Sequence, residues 1–155
     1  AMAVVEKSKQ RETSKRIRGE IEQMFGKVPT WVNEMPESAL EGFWSMMRDF
    51  QLAETHIPNK YKELIGLGVS GATRCRYCAL FHTEAAKLFG ATDEEISEAA
   101  MMAAHTMAGS TFINAMQSDY DTFRRETLDA IAYVRSHPAA ATAREASQRS
   151  PKAHA

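Results

Sequence analysis

Cysteine is scarce in this sequence, with 2 in 155 residues, and proline (5) and glycine (8) are few as well. Charge of one sign is missing too: 19 Lys and Arg face 20 Asp and Glu, for a net charge of −1. Each shortage closes off a class of function. Without a basic stripe there is little electrostatic footing for nucleic acid. Without an acidic block there is no solvated interaction tail of that kind. No apolar run approaches the ~20 residues that span a bilayer. Val4-Val5 gives way at once to Glu6, Lys7 and Lys9, unlike the apolar core of a signal peptide. A cytoplasmic protein with no membrane and no nucleic-acid partner is therefore expected. In a reducing compartment a cysteine pair is more often catalytic or metal-binding than a permanent staple.

Two-residue alternation of apolar and polar side chains is also missing, and almost every apolar segment has a helical period. Residues 5–25 are mostly charged, with an apolar stripe of Ile17, Ile21, Met24 and Phe25 confined to the end, suited to covering a neighbour or a partner subunit. Pro29 to Pro36 reads as a turn with a short helical piece at Trp31. From Glu37 to Ala53, the residues Leu40, Phe43, Trp44, Met47 and Phe50 trace one face of an amphipathic helix. Pro58 fits the first turn of the next helix, which is expected to put Tyr61, Leu64, Ile65, Gly68 and Val69 inward before Gly71 ends it. A helix from about Arg74 to Phe89 stops at Gly90, and Thr92 to Glu95 forms a capping box for its successor. That helix is expected to bury Ile96, Ala99, Ala100, Ala103, Ala104 and Met107 and to break at Gly109, ahead of a short segment with Phe112, Ile113 and Met116. A last helix runs from about Asp119 to Arg135. The expected fold is all-α: one domain of about seven helices over residues 1–136. The tail, 137–155, has no apolar stripe and is expected to be ordered only by contacts with another subunit.

Both cysteines fall in one cluster, Cys75-Arg-Tyr-Cys78-Ala-Leu-Phe-His82. On a helix these three positions are i, i+3 and i+7 and share one side. Cys75 lies at or near the helix N-terminus, where the dipole favours a thiolate. His82 is one turn from Cys78 and able to take its proton. An unperturbed thiol of pKa ~8.5 is a few per cent ionised at neutral pH, and lowering it to about 7 ionises half. Helix-end electrostatics alone favour Cys75 as the nucleophile; the position of His82 favours Cys78. Cys, Cys, His and Glu are also possible zinc ligands, though structural zinc sites usually draw on two separated knuckles. His105 reads as a packed core histidine within reach of the dithiol by helix packing, and Met101, Met102, Met107 and Met116 read as core filler. Trp31 and Trp44 read as core or interface aromatics.

Glu63, twelve positions before Cys75, completes a pattern of glutamate, Cys-x-x-Cys, and histidine four past the second cysteine. With Gly90 to Ile96 (Gly-Ala-Thr-Asp-Glu-Glu-Ile), this is similar to the AhpD-like alkylhydroperoxidases of the carboxymuconolactone decarboxylase superfamily, over a redox core of roughly 37–117. The resemblance implies an AhpD-like helical fold, with Cys78 as the peroxidatic cysteine, Cys75 as the resolving one, and Glu63 and His82 as a proton relay. The best-known members carry a second histidine where this chain has Tyr77, which implies a shorter or water-mediated relay here. The implied activity is thiol-dependent reduction of organic hydroperoxides, or relay of electrons to a peroxiredoxin. An external dithiol or protein donor resets the couple, and no tightly held cofactor is needed. Single-copy relatives imply a homo-trimer or homo-hexamer. The rival readings are a lyase like the superfamily's namesake, which would not need the dithiol, and a non-catalytic zinc-holding or redox-sensing helical protein.

Overall fold

Seven helices make up the computed structural model, which describes residues 2–138, with side chains from residue 4 onward. They are α1 (Met2–Phe25), α2 (Thr30–Asn33), α3 (Glu37–Met46), α4 (Asn59–Ala72), α5 (Arg76–Leu88), α6 (Asp93–Ala115) and α7 (Tyr120–Ser136). A π-helical segment, Met47–Gln51, continues α3. No strand occurs among the described residues, so the all-α expectation holds. Most of the expected tail, residues 139–155, lies outside the described residues. The chain divides into two compact units, one ending at Ala104 and the other beginning at His105.

Prolines set the entries to three helices in the first unit. Pro29, Pro36 and Pro58 each occupy the residue before a helix, with φ between −54° and −58°, close to the angle the pyrrolidine ring imposes. The apolar core is Ile17 and Ile21 of α1, Val32 of α2, and Leu40 and Trp44 of α3. Fully burying an aliphatic side chain is worth roughly 1.5–3 kcal/mol, so the two isoleucines help to dock an otherwise charged α1. Trp44 Nε1 donates to Glu20 Oε2 at 2.8 Å, and Arg48 reaches the same oxygen at 2.8 Å. Arg16 binds the other oxygen at 2.5 Å. These donors hold the Glu20 carboxyl below the ordinary carboxylate range, the Trp44 indole first, against an opposing push from burial.

α4 packs on α5, but not through the face its apolar pattern predicts. Its buried residues are Asn59, Glu63, Leu67 and Ser70, whereas Tyr61, Ile65 and Val69 are about half exposed or more (49, 56 and 57%). Helical pattern alone finds the stripe but cannot say what covers it. The face used here is the one whose small and polar groups α5 and the π-helical segment can satisfy. α6 opens on the expected capping box: Glu95 N–H donates to Thr92 Oγ1 at 3.1 Å, and Thr92 N–H donates to Glu95 Oε2 at 2.9 Å. Lys60 of α4 adds an ion pair to Glu95 at 2.8 Å.

α6 does not break at Gly109. It continues to Ala115, because a glycine in a helix interior costs only about 1 kcal/mol, less than opening two new helix ends. No residue of α6 or α7 is buried, so the alanines and methionines expected in the core are at most partly covered. In the second unit Gln117 has φ +52° and Ser118 N–H reaches back to Ile113 O, closing α6 with a Schellman turn. Asp119 then caps α7 by accepting Thr122 N–H at 2.8 Å; the Thr122 side chain first, and this N–H after it, hold its carboxyl below the usual range.

Candidate active site

The site is built on the joint between α4 and α5. Arg74 adopts φ +57°, Arg74 N–H bonds Gly71 O, and Cys75 N–H bonds Ser70 O at 2.9 Å. This is a Schellman closure of α4 with an arginine in the left-handed position that glycine usually takes. Cys75 then serves at once as the N-cap of α5: its sulfur accepts Cys78 N–H at 3.3 Å. One residue thus ends one helix and begins the next, which puts both sulfurs at the electropositive start of α5.

Cys75 and Cys78 are joined as a disulfide, with Cα atoms 5.4 Å apart. Cys78 is exposed and Cys75 half-buried. One turn further on, His82 directs Nδ1 at Glu63 Oε2, 2.6 Å away. Glu63 is 0% exposed, not at the boundary where the apolar pattern of α4 would put it. A buried carboxylate requires partners for its oxygens. His82 serves Oε2, and Gln51 Nε2 donates to Oε1 at 3.3 Å. In the tautomer that gives Nδ1–H to Glu63, Nε2 is the ring nitrogen that keeps a lone pair.

Two contributors have no counterpart in the sequence reading. Gln51 comes from the π-helical segment. Gly66 lies against the imidazole: a Cβ built there would clash with the ring, 2.5 Å from Nδ1. The sequence signal for Gly66 was weak, being a glycine one turn after Glu63 in a helix interior, where glycine needs a reason. Tyr77 points to solvent. It is 74% exposed, with the Arg76 guanidinium over its ring and Arg76 donating to its hydroxyl at 3.3 Å. His105 is exposed, contrary to the packed reading, and belongs to the second unit. Among the described residues, no three His, Cys, Asp or Glu side chains gather as a metal-binding group. No helix among them is long and apolar enough to cross a membrane.

Residues 39–118 match the carboxymuconolactone decarboxylase family. An uncharacterised protein, "protein 4 in cox locus" of Paracoccus denitrificans, is 35% identical over 63 residues, which are 41% of this chain. The match spans 57% of that relative, so a large part of it has no counterpart in the aligned stretch. The alkylhydroperoxidase AhpD core of Rhodospirillum rubrum is 23% identical and superposes with a TM-score of 0.63, covering 79% of this chain and 90% of its own. That likeness establishes an AhpD-like helical fold.

Proposed function

The chain belongs to the carboxymuconolactone decarboxylase family, and from that premise we propose that it is a thiol-dependent peroxidase or disulfide oxidoreductase working through the Cys75–Cys78 couple. The observation that carries this reading is the 2.6 Å contact between His82 Nδ1 and the buried Glu63 carboxylate, one helical turn from Cys78. Nε2 is then free to take the Cys78 proton, with the carboxylate stabilising the imidazolium that results.

In the cycle, the Cys78 thiolate attacks an organic hydroperoxide, ROOH. A sulfur–oxygen bond forms, the O–O bond breaks, and the alkoxide takes the proton held by His82 and leaves as ROH. The Cys75 thiol attacks the sulfenic sulfur of Cys78, forming the disulfide and releasing water. An external dithiol returns two electrons through a mixed disulfide and is itself oxidised. That donor is a small dithiol or a protein; passing the electrons on to a peroxiredoxin is the same exchange run with another acceptor. A reducing, cytoplasmic setting suits such a cycle. The exposure of Cys78, against the half-buried Cys75 with its sulfur engaged by a backbone N–H, supports Cys78 as the residue that meets peroxide.

The lyase reading leaves the dithiol without a task. The zinc-holding reading would need both sulfurs as thiolates. Thiol titration of the reduced protein before and after cumene hydroperoxide, with zinc measured on the same sample, tests all three. The expected result is loss of both thiols, recovery with dithiothreitol, and no stoichiometric zinc. Cys78→Ser should abolish turnover. Full activity in that variant, or thiols that resist peroxide, would sink the assignment.

The same chain is proposed to assemble as a homo-trimer or homo-hexamer. Helices in proteins owe most of their stability to a packed apolar face, yet α6 and α7 bury no residue. Met101, Met107, Phe112, Phe123, Ile131 and Val134 all stand exposed along them. Faces of that kind on further copies of the chain are the natural cover.

A further inference from the structure

α3 does not end as an ordinary helix but widens into the π-helical segment, where Leu52 N–H bonds Met47 O at 2.9 Å. Such insertions recur at functional sites because they redirect side chains without breaking the helix. Here the first turn of α4 grips the widened end. Lys62 Nζ donates to the carbonyls of Phe50 and Ala53, both at 2.7 Å, and Asn59 Nδ2 donates to Leu52 O at 3.2 Å. The backbone is therefore held on either side of Gln51. The Gln51 side chain in turn reaches the next residue of the same turn of α4, Glu63, with Nε2 3.3 Å from Oε1. Glu63 has no exposed surface, and its other oxygen faces His82.

We infer that Gln51 is a positioning residue of the proton relay: its amide, delivered by the π-helical turn, fixes the rotation of the Glu63 carboxylate so that Oε2 addresses His82. The inference rests on the relay proposed above. An amide suits the task because it donates without bringing a charge. A cation at the same place would compete with His82 for the carboxylate, and the nearby Lys62 is kept from doing so by the two carbonyls it binds. A second acid there would share a proton with Glu63.

The test is the pH profile of iodoacetamide alkylation at Cys78 in the reduced full chain, read by mass spectrometry, for wild type, Gln51→Leu, Gln51→Glu, Glu63→Gln and the Gln51→Leu/Glu63→Gln pair. Losing a hydrogen bond to a charged group should slow alkylation at neutral pH about tenfold in Gln51→Leu and move its profile to higher pH. Glu63→Gln should do at least as much, and the pair no more than Glu63→Gln alone, because both act through one carboxylate. Gln51→Glu, matched in size, guards against a folding defect and should be at least as slow as Gln51→Leu. A Glu63→Gln profile that shifts while both Gln51 single variants overlay wild type would overturn the role of Gln51 and leave the relay standing. Profiles that all overlay wild type would overturn the relay, and this inference with it.

Discussion

Helix α4 carries no side chain at Gly66, and the imidazole of His82 fills the space. An added methyl would meet ring atoms that cannot swing away without giving up the Glu63 bond. Gly66→Ala gains about 1 kcal/mol of helix propensity, but leaves a buried carboxylate short of a partner at a cost of roughly 2–3 kcal/mol. The expected outcome is a net loss of about 1–2 kcal/mol in urea unfolding, with peroxidase turnover down at least about tenfold. The Cys75–Cys78 disulfide should still form. Retention of wild-type stability and turnover would mean that the ring is not tied as described. The positions of Cys78 and His82 one turn apart on α5, and of Cys75 at its N-terminus, were legible in the sequence from helical spacing. Pairing of Glu63 with His82 came from the family pattern. Its complete burial did not, because the apolar stripe of Tyr61, Ile65 and Val69 left Glu63 at its boundary. Nothing in a one-dimensional pattern marks Gly66 as a seat for a ring borne sixteen residues later.

Among the elements, the connection from α4 to α5 is the one built against local preference. Arg74 occupies a left-handed conformation that costs a residue with a Cβ about 1–2 kcal/mol. Arg74→Gly should therefore stabilise the reduced protein by about 0.5–1 kcal/mol, after glycine's greater freedom in the unfolded chain is set against it. Arg74→Val should destabilise it, since branching at Cβ makes that conformation worse. Urea midpoints for the three proteins check the order, and a midpoint for Arg74→Gly below wild type would refute it. Other helix ends were legible because local chemistry fixes them: Gly90 takes φ +87° after α5, and Thr92 and Glu95 exchange their capping bonds. The π-helical segment was not legible. Its stabilising partners, Asn59 and Lys62, lie on another helix, and no short-range signal encodes them. Gly109 misled for the converse reason, a local breaker outweighed by continuous helix on both sides.

At the level of the whole molecule, several carboxylates tie helices together or cap them. Glu20 is held low by Trp44 and then by Arg48 and Arg16; Glu95 by Lys60 and then by Thr92 N–H; Asp119 by Thr122. In each the folded pKa lies below the unfolded one, so the stabilising contribution is complete above the usual carboxylate range. It is lost as pH falls through the folded values. Stability should thus be level from neutrality to about pH 5 and decline from about pH 4 downward. Glu20→Gln, which removes one titrating group, should flatten that decline; an unchanged acid limb would show that Glu20 takes no part. Assembly is checked by light scattering during size exclusion, where a mass of three or six times the 17.3 kDa chain is expected and a monomer peak would refute it.

Cys75 closes α4 through its backbone N–H and caps α5 through its sulfur, with Cys78 one helical turn away and the two Cα atoms already 5.4 Å apart. An ordinary helix spaces positions three apart by about that distance. Oxidation and reduction therefore alter a bond at a joint whose two sides need not shift. A molecule that meets the two sulfurs can therefore exchange electrons with this couple without either helix having to give way.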